Sequence, residues 1–411
     1  MADLRSLEDF QNKAKNAANK PANLGDDIEL DSFTDIGDKQ PYIEDPSLLP
    51  EQVRETMLQS GIMLDDNSQR SGTFIQINNT SVHSSVRESG VEILSINRAL
   101  QKYDWITDYW WQAVPVDVDK YTANVELGQF DGYFIRSMPG SRTVFPVQAC
   151  LYLAKSRLKQ NVHNIIIAEE GSELHIITGC TSASTKEPAL HMGVSEFYIK
   201  PKAKVTFTMI HSWNPEIAVR PRTSAIIEED GLFMSNYVLM KPVKSLQMYP
   251  TAHVIGDNAT VRYNSILVAT EGSTLDVGSK ALLNASKTRA EIVTRAISTG
   301  GTIFARGFME GGAKEVKGHL ECRGLILGEK GVIHAIPELK GKLAGIDLSH
   351  EAAVGKINEA EIEYLMARGL TRSEATATIV RGFLQVDIEG LPSILDAELH
   401  RAIASSEGDF L

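Results

Sequence analysis

From about residue 125 to about residue 310 the chain alternates apolar and polar positions in short runs. Each run is opened by a small or turn-forming residue. Examples are Gly171-Ser-Glu-Leu174-His-Ile176, Lys202-Ala-Lys-Val205-Thr-Phe207-Thr-Met209, Asp257-Asn-Ala-Thr-Val261-Arg-Tyr263, Gly272-Ser-Thr-Leu275-Asp-Val277 and Thr288-Arg-Ala-Glu-Ile292-Val. Alternation with period two predicts half-buried strands. The runs return at irregular multiples of about 14 residues, and no helix-length segment interrupts them between about residues 200 and 310. Such a series suits a sandwich, a barrel or a β-solenoid, and the pattern alone does not choose among them.

The two ends read differently. Residues 1–45 are polar and acidic with little periodicity, which predicts a flexible or loosely docked arm. Pro50 opens a short helix with Val53 and Met57 on one face. A second helical pattern covers Leu94–Trp111 and carries Trp105, Trp110 and Trp111, either packed in the core or displayed as a lid or partner surface. After Ile357, Asn358 caps a helix bearing Ile362, Leu365 and Met366, and Gly369 is placed to end it. Thr371-Arg-Ser-Glu374 is a capping box for the next helix, with Ala375, Ile379 and Phe383 spaced four apart. A third helix follows Pro392 with Leu395, Leu399 and Ile403. The expected organisation is an N-terminal region over 1–120, a β core over 121–357 and a helical C-terminal domain over 358–411, which caps the last exposed rung of a strand coil.

Composition narrows the function classes. Of 411 residues, 43% are hydrophobic, enough for a substantial core, and the net charge of −12 disfavours a surface generally attractive to nucleic acid or anionic membrane. No apolar run approaches the roughly 20 residues of a spanning helix, and the N-terminus has no apolar signal core. The expectation is a soluble cytoplasmic protein. Three dispersed cysteines, Cys150, Cys180 and Cys322, fit a reducing compartment and disfavour a disulfide framework or zinc ribbon.

There is no Gly-x-x-x-x-Gly-Lys-Ser/Thr phosphate loop, no Gly-x-Ser-x-Gly elbow, no His-Glu-x-x-His pair and no Gly-x-Gly-x-x-Gly fingerprint. The chain is therefore not expected to be an enzyme, and any ATP use would belong to another chain. Chemistry concentrates between His319 and Glu351, where Cys322, His334, His350 and Glu351 offer a thiol, two imidazoles and a carboxylate suited to iron or zinc. The plainer alternative is a buried cysteine and hydrogen-bonded histidines. On a strand, the adjacent His350 and Glu351 would point to opposite faces. Arg323 beside Cys322 would favour its thiolate, provided the two side chains share one environment.

Cys322, the His350-Glu351-Ala run and Arg368-Gly369-Leu370 through Glu374-Ala375 resemble the C-terminal core of the SufB/SufD family of iron–sulfur cluster assembly scaffold proteins. The likeness continues upstream through Gly179-Cys180, Leu190-His191, Phe207 to Trp213, Arg220-Pro-Arg222-Thr and Lys241-Pro242-Val243, covering roughly residues 90–405. The resemblance implies a right-handed parallel β-helix core and a C-terminal part that docks an ABC-type ATPase. It also implies a transient iron–sulfur cluster held through Cys322, His350 and Glu351, with His334 as a weaker candidate, and a sulfur-accepting role for Cys180, for which a buried structural cysteine is the alternative. Glu351 and Cys322 look SufB-like, whereas Ser349-His350 and Val354-Gly355 look SufD-like; that mixture suggests a homodimer. A sulfur donor and apo-protein acceptors follow as further partners. His211-Ser-Trp213 departs from the Gln-Asn-Trp of bacterial SufB members, and its two readings are a place on an internal sulfur path and packing of Trp213 in the β core. Two other readings compete: a β-solenoid enzyme acting on polysaccharide, and a purely structural interaction protein.

Overall fold

In the computed structural model, which describes residues 4–37, 39–65, 68–184 and 186–384, the chain winds into a parallel β-solenoid of about 8 turns with helices at both ends. Two sheets face each other. The first runs from the antiparallel pair Thr80–Val86 and Gly72–Ile77 through Val147–Leu153, Glu173–Ser182, Lys204–Ser212, Leu232–Leu239, Thr260–Ala269, Arg289–Ser298 and Lys317–Ile326 to Asp347–Gly355. The second starts at Val91–Ser95 and ends at Thr302–Gly311 and Val332–Gly341. Beyond the antiparallel pairs at the start, strands stack in parallel and in register.

The spacing in the sequence is the half-turn of this coil. Strands beginning at Thr260, Thr274, Arg289, Thr302, Lys317, Val332 and Asp347 belong alternately to the first and second sheets. The corner is repeated as well. From Glu173–Ser182 onward a left-handed residue stands two positions before each first-sheet strand: Gly171, Lys202, Asp230, Asn258, Lys287, Glu315 and Gly345. Glycine adopts this conformation freely, whereas an L side chain gives up about 1–2 kcal/mol there. The stacked turns hold the five other residues in it.

Inward side chains fill the solenoid, with Phe197 4.8 Å from Phe207 and 5.0 Å from Phe233, ring centroid to ring centroid. Close stacking leaves little room at the corners. At Gly256 a Cβ would lie 1.9 Å from Glu229 N and 2.1 Å from Glu228 C. Gly256→Ala is therefore expected to destabilise the protein by about 3 kcal/mol, read from urea denaturation. Stability within about 0.5 kcal/mol of the parent would mean that this corner relaxes freely.

Several sequence expectations change. Strands begin at Gly72, earlier than the alternation suggested, because Gly72–Ile77 is buried on both faces and has no period to read. The acidic arm is docked: Ala14 and Leu30 are buried, Arg220 Nη2 donates to Asp26 O at 3.0 Å, and Lys159 Nζ pairs with Asp35 Oδ2 at 3.0 Å. The helix Glu51–Leu58 forms, with Met57 buried. The tryptophan-rich stretch is helical in two pieces, the α-helix Ile96–Lys102 and the 3-10 helix Asp104–Asp108, and packs on the outer face of the second sheet against Phe134, Ile165 and Val194. At the other end Asn358 caps Glu359–Met366 and Gly369 takes φ +98°. Thr371 and Glu374 bond reciprocally at the start of Arg372–Leu384. That helix lays Ala377, Val380 and Leu384 on Ile266, Ile297 and Leu325 of the first sheet. The helix expected after Pro392 lies outside the described residues. Among the described residues no helix is long and apolar enough to cross a membrane.

Candidate functional site

The strand Lys317–Ile326 carries Leu320 and Cys322 inward, and Glu321 and Arg323 outward. Its neighbour Asp347–Gly355 is the last strand of the first sheet and pairs on one side only. In-register stacking sets His350 beside Leu320, Glu351 beside Glu321 and Ala352 beside Cys322. Cys322 and His350 therefore share the inward face, one strand and two residues apart. With about 4.8 Å between strands and about 3.3 Å per residue, their Cα atoms stand about 8 Å apart. Cys322 is buried and His350 is exposed, because the solenoid is open beyond the last strand.

Glu351 faces outward. Arg323 Nη2 pairs with Glu351 Oε1 at 3.1 Å and Arg323 Nε with Glu321 Oε1 at 2.5 Å; Arg295 Nη2 joins Glu321 at 2.9 Å. Arg323 thus lies on the face opposite Cys322, and the shared environment on which its effect depended is missing. Burial pushes the Cys322 thiol up to about 11, which Arg295 only partly offsets. His334 also faces away from the lumen; it is exposed and stacks on Phe304, with centroids 5.1 Å apart and planes 9° apart. One chain thus brings together Cys322 and His350, while Glu351 and His334 stand on outer faces. Among the described residues no three His, Cys, Asp or Glu side chains converge on one metal position.

Cys180 sits deeper in the lumen. It is fully buried, burial raises its pKa well above the ordinary thiol range, and it stacks in register beside His211. Tyr237 Oη lies 2.8 Å from His211 Nδ1, and His211 Nε2 has no partner. Gln160 Oε1 accepts from His191 Nδ1 at 2.8 Å, and the Trp213 ring stands 4.9 Å from His191 and 5.4 Å from His211. Burial pushes His191 down to about 3 and His211 well below the usual histidine range, so both rings are neutral at pH 7. In this fold Cys180 has neither the exposure nor the lowered pKa of a reactive thiol. Sequence reading missed Tyr237 and Gln160 as members of this file, since neither lies near Cys180 in the chain. Cys150 is on the opposite face of its strand, under the helix Glu51–Leu58 with Met57 and Ile62.

A model of the family described as "SUF system FeS cluster assembly, SufBD core domain" matches residues 152–383. The chain belongs to the SufBD family. A relative named iron–sulfur cluster assembly SufBD family protein, from Methanothermobacter thermautotrophicus, is 46% identical over 407 residues, covering 97% of this chain and 99% of the relative. A protein of the same name from Archaeoglobus fulgidus is 52% identical over 358 residues, 87% of this chain and 96% of that one. A Staphylococcus aureus relative is 28% identical over 369 residues, 86% of this chain and 78% of that one. The SufBD core match takes in Cys180, Cys322, His334, His350 and Glu351 and leaves Cys150 outside. This SufBD protein is thus an iron–sulfur cluster assembly protein.

Proposed function

We propose that this SufBD protein is a non-catalytic scaffold on which iron–sulfur clusters are built and handed on. In this reading it works in the cytoplasm as a two-fold homodimer with an ABC-type ATPase partner. The observation that carries the reading is the open end of the solenoid, where a buried thiol and an exposed imidazole share one face beside strands with a free edge. Two donors do not close a cluster, for which four protein ligands are common. A second copy placed against the free edge doubles the set to two thiolates and two imidazoles. An edge strand invites such pairing, and Val354 leaves its side chain exposed there. A cluster held by so mixed a set is cargo and not a resident group. The reading rests on Cys322, not on Cys180, whose burial argues against direct transfer of sulfur from a donor protein.

Exposed Tyr364 and Met366 on the helix Glu359–Met366 offer the ATPase an apolar contact that the cap does not use. In a pull-down with an ABC-type ATPase, Tyr364→Ala combined with Met366→Ala is expected to weaken capture about tenfold or more. Val354→Lys is expected to turn a dimer into a monomer by light scattering. A parent chain that is monomeric and captures no ATPase would refute the assembly; iron and sulfide binding with no partner would leave a storage role.

A further inference from the structure

On the outer face of the first sheet, reaching as far as the last strand, lies a cleft of about 640 Å³. It crosses the starts of five parallel strands, those beginning at Leu232, Thr260, Arg289, Lys317 and Asp347. In-register stacking lines up two outward columns there. One is Leu232, Thr260, Arg289, Lys317 and Asp347; the other is Met234, Arg262, Glu291, His319 and Ser349. Side chains between them, such as Phe233, Val261 and Ala290, point into the core.

Charge in this cleft is unbalanced. Arg289 and Lys317 are nearest neighbours on adjacent strands, about 4.8 Å apart in the backbone. Like charges so placed repel. Neither side chain makes an ion pair or hydrogen bond among the described residues. Neither carboxylate of the cleft forms an ion pair with them. Glu291 is taken by Arg262, whose Nε lies 3.2 Å from Glu291 Oε2. Asp347 stands beside Lys317 on the last strand and forms no ion pair with it within 4.0 Å. His319 Nδ1 is 3.0 Å from Ser349 Oγ, which orients that ring and leaves Nε2 free. In a chain of net charge −12, two adjacent unpaired cations beside an imidazole and two hydroxyls form a prepared anion site.

We propose that this cleft binds a phosphorylated small molecule, with its phosphate group between Arg289 and Lys317. The arginine fork gives two parallel donors to one phosphate, and the lysine adds a compact charge. The Thr260 hydroxyl, and His319 Nε2–H in the tautomer whose Nδ1 accepts from Ser349 Oγ, supply further donors. At the other end Leu232 and Met234 give an apolar floor for the organic part. The volume is that of a small-molecule site.

The test is calorimetric titration of the full chain with pyrophosphate, with ADP and with an acetylated triglutamate peptide, at low salt. Pyrophosphate and ADP are expected to saturate one site per chain. Arg289→Ala and Lys317→Ala should each weaken binding about tenfold, the worth of one lost charge-assisted hydrogen bond. Arg289→Lys, which keeps charge but loses the fork, should fall between. Lys330→Ala, in an exposed pair with Glu271 away from the cleft, should change nothing. ADP tighter than pyrophosphate assigns the organic phosphate, and equal affinities assign inorganic phosphate. Two outcomes overturn the proposal: binding that Lys330→Ala weakens as much as Lys317→Ala, or triglutamate binding tighter than both phosphates. Circular dichroism of each variant excludes unfolding, since all three positions are on the surface.

Discussion

Cys322→Ser is expected to abolish cluster loading while leaving the fold in place. The substitution keeps size and removes the soft donor, and Cys322 borders small neighbours, Ala352 on one side and Thr294 on the other. The measurement is visible absorbance and iron content after anaerobic reconstitution, with circular dichroism as the control. Cys150→Ser, in a separate apolar cluster, should load like the parent. The pH dependence gives a second signature. Burial holds the Cys322 thiol protonated up to about 11, so iron must displace a proton to bind. Loading therefore strengthens as pH rises, about tenfold per unit for each thiolate ligand between pH 7 and 9, and levels off only above the raised pKa. His350→Ala should weaken loading less than Cys322→Ser. A folded Cys322→Ser chain that binds iron and sulfide like the parent removes this thiol from the site.

Glu196→Gln is expected to destabilise the protein by about 3–5 kcal/mol, the largest effect of any single polar substitution described here. Glu196 is fully buried, with five polar groups around its carboxylate. Trp111 N donates to Oε1 at 2.8 Å, and Ala113 N and Val114 N to Oε2 at 2.6 and 3.0 Å. Tyr198 Oη, which donates to Tyr109 O at 2.6 Å, lies 3.1 Å from Oε2, and His163 Nε2 lies 2.8 Å from Oε1. The carboxylate thus pins the tryptophan-rich segment to the solenoid and holds Trp111 at φ +55°. An amide puts donors where only acceptors fit, leaving buried N–H groups unpaired. Trp110 and Trp111 flank His163 at 3.9 and 4.2 Å, so their fluorescence should shift to the red along with the loss of stability. A Glu196→Gln chain within about 1 kcal/mol of the parent in urea would show that backbone rearrangement replaces these bonds.

Alternation along Thr260 to Tyr263 was enough to assign a strand, because Arg262 is exposed between buried Val261 and Tyr263; Leu275-Asp276-Val277 alternates in polarity too, although Asp276 is buried against Arg306. The return of turns near 14 residues carried the half-turn of the coil, and the caps Asn358 and Thr371–Glu374 form as their side chains dictate. These are local properties, set by residues a few positions apart. The early strand Gly72–Ile77 escaped notice because both its faces are buried, and burial on two sides has no period. Lys202, Lys287 and Glu315 take left-handed turns that their own chemistry disfavours; neighbouring turns impose them.

The site divides in the same way. The sequence by itself determined which donors exist, a single C-terminal thiol near imidazoles and carboxylates, and that His350 and Glu351 part to opposite faces. Tertiary structure alone decided which face each one shares. Register places His350 on the side of Cys322, sends Arg323 to Glu351 on the other side and gives Cys180 the companions His211 and Tyr237. It also sets Arg289 against Lys317, neither of which forms an ion pair among the described residues. Register is fixed by how many residues each turn of the coil consumes and by packing summed over the whole stack, and neither quantity is carried by any short stretch of the chain.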